Sequence, residues 1–275
     1  MKKVFMFILL VCCLTMMGCG RIKENNEPEN FKYEYGVFLN ADSSYISKMS
    51  DYRQIVIDVS FFTAEDVEKI HNRGQKVYTY LNVGSLEAFR DYYSRYSNLC
   101  LDEYENWEDE KWVDVSKKEW QEHVISLANE YSDKGIDGFF IDNCDVYYQY
   151  PKSEIFDGLT AMLRQIHKIN PNVIINGGDT FVTEYMDLYQ TASDIMSGVN
   201  QECVFTAIDF SDSDFGRSTE ENFRYFESYI EKCAADNMDV YLLEYTTDMN
   251  LIGEIRDYCE KNNYLFYISS SIDLE

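Results

Sequence analysis

The chain has 275 residues, 45% hydrophobic and 16% aromatic, with only 3 prolines and 13 glycines, so it can build a sizeable core and is not of low complexity. It carries 49 acidic against 24 basic residues, a formal net charge of -25. That balance argues against nucleic acid or an anionic membrane surface as partner, keeps a protein soluble, and would concentrate a cationic ligand.

At the amino terminus, Lys2 and Lys3, the apolar run Val4 to Met17 and then Gly18-Cys19 form a charged region, an apolar region and a small residue before a cysteine. This resembles a bacterial lipoprotein signal, with cleavage before Cys19 and lipidation of its thiol. A transmembrane anchor is the competing reading, but the run is shorter than the roughly 20 residues a span needs. Arg21 to Asn30 reads as a polar tether. The expected location is therefore the extracellular face of a bacterial cell membrane, with contact to the membrane through the lipid only. Loss of Lys2 and Lys3 leaves 22 basic against 49 acidic residues, or -27. Beyond the leader and Cys19 remain Cys100, Cys144, Cys203, Cys233 and Cys259, an odd set without paired spacing and so no disulfide framework. His71, His123 and His167 show no metal-ligand spacing with them, and neither a structural metal nor a cofactor is expected.

Residues 31–275 read as one domain. Tyr35 to Leu39 is a first predicted strand and Gln54 to Val59 a second, with Ser47 to Tyr52 barely long enough for a helix between them. Thr63 to Asp66 opens a helix like a capping box, with Asp in place of Glu, and the helix ends near Gly74. Lys76 to Leu81 is the third strand. An insertion from Asp91 to Val115 holds Trp107, Trp112 and a dense acidic run, and Lys117 to Lys134 is an amphipathic helix. Phe139 to Ile141, between Gly138 and Asp142-Asn143, is the fourth strand, continuously apolar as a strand covered on both faces must be. Ser153 to Ile169 is helical up to Pro171, Asn172 to Asp179 is a fifth strand with its exit loop, and Asp194 to Asn200 a weaker sixth. Thr219 to Asn237 is a helix, Asp239 to Tyr245 the seventh strand, Ile252 to Asn262 a helix and Tyr264 to Ile268 the eighth strand. Eight apolar strands alternating with helices predict an α/β fold, a single-domain (β/α)8 TIM barrel. A doubly wound sheet is the alternative. Leu39-Asn40-Ala41-Asp42 supplies no glycine-rich phosphate loop, so a dinucleotide role has no support.

In a barrel every strand exit faces one mouth, and the polar residues at these exits are carboxylates and amides: Asp58, Asn82, Glu87, Asp142, Asp145, Asn176, Asp179, Glu202 and Glu244. No serine or cysteine with a histidine base, and no strand-end lysine, suits covalent acyl or imine chemistry. What remains is a pair of carboxylates dividing acid and base or nucleophile roles, as in glycoside hydrolysis. Asp142 and Glu202, two strands apart, are the expected pair. An Asx turn for Asp142 and a solvated loop acid for Glu202 are the plain alternatives. Calcium or magnesium binding is a rival from another class, hinted at by Asp209 to Gly216, but that spacing does not match an EF-hand loop and an acidic lid is the simpler account. Tyr92, Tyr93, Trp107, Trp112, Tyr147, Tyr148 and Tyr150 stand in loops where rings could stack on sugars or simply pack.

Three ordered motifs carry a resemblance. Tyr80 to Glu87 with Arg90 and Tyr93, Trp107 through Glu110 to Trp112-Val113-Asp114-Val115, and Gly135 to Asp145 together resemble glycoside hydrolase family 114, over about residues 33–270. That family comprises endo-alpha-1,4-polygalactosaminidases and relatives on a (β/α)8 barrel. The resemblance implies hydrolysis of α-1,4 bonds in a galactosamine-containing exopolysaccharide, with Asp142 as nucleophile and Glu202 as acid/base by analogy with related α-glycosidase barrels. It further implies Asp58, Asn82, Glu87, Asn176 and Glu244 as substrate-binding candidates, with Asp145 counted beside them, and a polysaccharide as partner; a monomer is expected. A partly deacetylated galactosamine polymer is cationic, which gives the acidic balance a use. The alternatives are another α-linked polysaccharide or an α-galactoside as substrate, or a non-catalytic carbohydrate-binding lipoprotein.

Overall fold

A computed structural model of the chain describes residues 31–105, 107–210 and 214–275. The leader and tether, and residues 211–213 of the acidic run, lie outside them. Eight parallel strands run β1 (Tyr33–Phe38), β2 (Tyr52–Ile57), β3 (Lys76–Asn82), β4 (Gly138–Asp142), β5 (Val173–Asn176), β6 (Gly198–Glu202), β7 (Asp239–Tyr245) and β8 (Leu265–Ser269), each paired with the next. β8 returns beside β1, where the rings of Tyr267 and Phe38 stand 5.5 Å apart, so the sheet is a nearly closed barrel.

Strand register decides which side chains share the lumen. Val56 lies opposite Tyr78, Tyr80 opposite Phe140, and Phe140 opposite Ile174, and these pack with Tyr35, Val37, Tyr241 and Leu243 as one inner cluster. The other parity, including Ile55, Ile57, Phe139, Ile141, Ile175 and Leu242, packs against the helices in the larger core. Burial on both faces is why these strands read as unbroken apolar runs. The same inward parity carried to the strand ends brings Asn82 opposite Asp142 and Asn176 opposite Asn200.

Of the helices between strands, Ala64–His71 begins on a capping box in which Thr63 and Asp66 bond each other's backbone N–H, so aspartate serves where glutamate is usual. Helices Lys118–Asp133, Ser153–Ile169 and Glu220–Ala235 fall where the periodicity predicts them, and Met249–Asn262 starts three residues earlier, capped by Asp248. Five features depart from expectation. The first crossover holds a 3-10 turn, Ser43–Tyr45, in place of a helix. The sixth strand is shifted towards its carboxyl end, because Ile195 and Met196 fill the helix-facing core before the strand begins, and its polar end lies in the lumen. The insertion, with the preceding Ser85–Glu87, forms a three-stranded antiparallel sheet whose other strands are Trp107–Val113 and Cys100–Tyr104. A hairpin, Thr206–Asp209 with Asp214–Arg217, follows β6, and a further helix, Asp179–Tyr189, follows β5.

Candidate active site

The strand ends open into a cavity of about 750 Å³. Among the described residues its lining includes nine carboxylates and one cation, Arg90. Asp142 ends β4 and Glu202 ends β6, and Asn176, ending β5, stands between them. Its amide nitrogen donates to Asp142 Oδ1 at 2.9 Å and to Glu202 Oε1 at 2.7 Å, so these two oxygens lie no more than 5.6 Å apart. Tyr245, ending β7, donates its hydroxyl to Glu202 Oε2 at 2.7 Å.

Burial pushes both carboxyls above their ordinary values. The opposing influences differ. Bonds from Asn176, the Asn143 backbone and Tyr80 all pull Asp142 down, whereas the Asp142 charge adds to burial in raising Glu202. Bonds from Tyr245 and Asn176 pull Glu202 down in turn, so each carboxyl is raised by burial and partly offset by its donors.

The loop after β3 passes directly under the loop after β4. A Cβ at Gly84 would sit 1.8 Å from the Asn143 carbonyl oxygen, so only glycine fits. Asn143 itself takes a positive φ of 65°, and its amide donates to Ser85 Oγ at 3.0 Å. Asn82 donates to the same oxygen at 2.7 Å, and Ser85 donates onward to Glu110 Oε2 at 2.9 Å. Burial pushes Glu110 up to about 8, with the Glu87 and Asp142 charges adding to the effect. On the other side Asp145 accepts from the Gly178 backbone N–H, and burial with the Asp179 charge pushes it up to about 7.

The expected binding candidates divide. Asp58, Glu87, Asp145 and Asn176 line the cavity. Asp58 and Glu87 are joined by Arg90, whose guanidinium donates to Asp58 Oδ2 at 2.7 Å and Glu87 Oε2 at 2.6 Å. Asn82 and Glu244 do not line it. The Asn82 amide is committed to Ser85, Tyr80 and the Gly84 and Ser85 N–H groups. Glu244 has the parity of Leu242, away from the lumen, and its carboxylate accepts from the N–H groups of Val204, Phe205 and Thr206 and the Thr206 hydroxyl. It anchors the turn that follows Glu202, against expectation, because not every strand-end polar residue faces the mouth. Burial holds it up to about 7 despite these donors.

The loop aromatics also divide. Trp107 and Phe210, from the insertion and the hairpin, meet edge to face at 6.1 Å and both line the cavity. Phe61 and Phe89 stack at 6.4 Å on its rim. Trp112 is buried under Tyr104, Tyr147 is packed on Phe156 and Phe181, and Tyr92 on Tyr96 and His123. Arg90, Glu110, Tyr245 and Asn200 were not among the expected site residues. Arg90 three residues after Glu87, and Tyr245 in step with Tyr241 and Leu243, are signals the sequence does hold.

A family model described as "Glycoside-hydrolase family GH114" matches residues 21–271. An uncharacterised protein of Thermotoga maritima is 25% identical over 181 residues, 60% of this chain and 55% of its own length, so the chain matches about half of that relative. The glycoside hydrolase domain of PelA from Pseudomonas aeruginosa superposes with a TM-score of 0.75 at 15% identity, covering 88% of this chain and 95% of that one. Aspergillus fumigatus Ega3, solved in complex with galactosamine, does so with a TM-score of 0.67 at 15% identity, covering 91% and 95%. Both likenesses are of fold.

Proposed function

The chain belongs to glycoside hydrolase family GH114 and is a glycoside hydrolase, and from that premise we propose that it cleaves α-1,4 linkages in a galactosamine-containing polysaccharide, with Asp142 as nucleophile and Glu202 as acid/base. The observation that carries the pair is the single Asn176 amide shared by both carboxylates inside the acidic cavity. Their oxygens, at most 5.6 Å apart, leave too little room for a water between acid and base, and favour retention over inversion, which needs roughly 6.5 to 9.5 Å.

In the proposed sequence, an Asp142 oxygen bonds the anomeric carbon as the glycosidic C–O bond breaks, and Glu202 gives its proton to the leaving oxygen. Water then attacks the same carbon, Glu202 takes its proton, and the bond to Asp142 breaks. Tyr245 and Asn176 favour the anionic form of Glu202 that the second half requires. Nine carboxylates around one guanidinium support a cationic, partly deacetylated polymer as substrate. On the amino-terminal segment alone, the protein is proposed to be tethered outside the cell through lipidated Cys19, which loss of palmitate labelling in Cys19→Ser would test.

The direct test is reducing-end release from partly deacetylated α-1,4-galactosamine polymer by residues 31–275, beside Asp142→Asn and Glu202→Gln. Release by the wild type alone supports substrate and pair together. Release by Asp142→Asn at the wild-type rate would sink the assignment, and no release by any folded protein would redirect the search to another α-linked polysaccharide.

A further inference from the structure

Behind Asn176 lies a second layer that does not line the cavity. The Asn176 Oδ1 accepts from Asn200 Nδ2 at 2.7 Å, and Asn200 Oδ1 accepts from the Tyr35 hydroxyl at 3.1 Å. Asn200 is fully buried and Tyr35 is 1% exposed. The chain of bonds has one polarity. A carboxylate and an amide oxygen only accept, so Asn176 presents its NH2 to the pair and Asn200 its NH2 to Asn176, and the Tyr35 hydroxyl completes the chain by donating to the Asn200 oxygen. Burial, with the Tyr241 ring and the Glu202 charge beside it, raises the Tyr35 phenol well above its ordinary value, so it stays a neutral donor. With the amide of Asn176 reversed, its oxygen would face both carboxylates and its NH2 would face that of Asn200.

We infer that Asn200 and Tyr35 are positioning residues for the proposed reaction: they fix which end of the Asn176 amide faces Asp142 and Glu202, and thereby how readily that pair holds negative charge. Asn176 spends both amide protons on the pair, and its oxygen is held from the other side by the Asn200 NH2. The orientation is therefore also held from β6 and β1, by two residues that do not line the cavity.

Other groups face the same carboxylates. Around Asp142 these are Tyr80 from β3, Glu87 just after it, Tyr104 and Glu110 from the insertion, Tyr245 from β7, and Cys144 and Asp145 from its own loop. Around Glu202 they are Tyr245 from β7, Tyr104, Tyr35 and Cys203. Among the described residues, Asn176 is hydrogen-bonded to both members of the pair, so loss of its orientation moves the two together.

The inference rests on the proposed catalytic pair, and its test has a readout that needs no substrate. In protein labelled with carboxyl 13C at Asp and Glu, the resonances of Asp142 and Glu202 are identified by difference from Asp142→Asn and Glu202→Gln, and titrated in wild type, Asn200→Leu and Tyr35→Phe. Asn200→Leu is expected to move both midpoints upward by about one unit, and Tyr35→Phe both by less. On a polymer that the wild type cleaves, kcat in Asn200→Leu should fall about tenfold or more with KM within about threefold. Should Asn200→Leu fail to fold, Tyr35→Phe, which removes one atom, still decides. Unmoved midpoints in a folded variant, or movement of one carboxyl alone, overturn the relay. If both midpoints move while the wild type cleaves no galactosamine polymer, the substrate reading falls and the relay stands.

Discussion

Arg90→Met would remove the one cation in the described cavity lining while keeping the apolar stem. In the native protein the guanidinium bonds Asp58 at 2.7 Å and Glu87 at 2.6 Å, with the three side chains 8%, 4% and 8% exposed. It ties the end of β2 to the segment after β3. Removing it leaves two carboxylates buried without their charge partner, a loss of about 3–5 kcal/mol for a broken buried pair. At about 2–4 °C per kcal/mol for a domain of this size, Tm should fall by about 6–20 °C. The loss should also depend on pH. Burial already holds Glu87 above its ordinary value, with Arg90 pulling the other way, so without Arg90 the carboxyl rises further. A carboxyl raised in the folded state binds its proton more tightly there than in the unfolded chain, so the variant gains stability as pH falls and loses it as pH rises. Thermal melts of wild type and Arg90→Met from pH 8 to pH 5 should therefore show the largest gap at pH 8 and a narrowing gap towards pH 5. A Tm within about 2 °C of wild type, or a gap of the same size at both ends, would refute the reasoning.

Tyr245→Phe should leave Glu202 Oε2 without its donor, raise the limb of the pH–rate profile that Glu202 sets, and lower kcat; a hydrogen bond to a charged group at about 1.5–3 kcal/mol corresponds to about 10- to 150-fold. A profile with unchanged limbs would remove Tyr245 from the site. His123 is held down to about 4 by burial among Tyr92, Tyr96 and Trp120, with Nε2 unpartnered. A base depressed in the folded state favours folding in its neutral form, so this contribution is lost as pH falls from about 6.5 towards 4, and His123→Phe should flatten the stability profile there. Cleavage of a cationic polymer should lose kcat/KM between about 50 and 300 mM salt, while a neutral α-linked polymer should show little change; equal sensitivity would count against electrostatic capture.

The eight strands were legible because each is short, apolar and punctuated, and the order of β4, β5 and β6 brought Asp142, Asn176 and Glu202 to neighbouring exits. What escaped has a common cause. At the strand ends the lumen becomes polar, so an apolar pattern placed the sixth strand too early and treated Asn200 as the end of a strand, whereas it is part of the site's support. Parity was the other lost variable. Glu244 and Tyr245 are consecutive, yet one turns to the helix side to hold Val204 to Thr206 and the other turns inward to Glu202. The insertion sheet and the hairpin were missed because charge runs dominate their composition, and their strands are secured by one another and by rings such as Trp112 on Tyr104.

Trp107 and Phe210, whose edges meet at the cavity, belong to no barrel strand. The proposed reacting carboxylates and the relay behind them ride on β1, β4, β5 and β6, so the reacting pair and these two rings are carried by separate elements. Such a division makes the protein modular for engineering. The tips of the insertion and the hairpin that carry these rings can be varied as a matched pair to reshape the cavity mouth, while Glu110 and Thr206 near their bases stay with the groups they face. Because each ring rests on the other, replacing one segment alone would leave its opposite aromatic without a partner, and libraries should vary the two together.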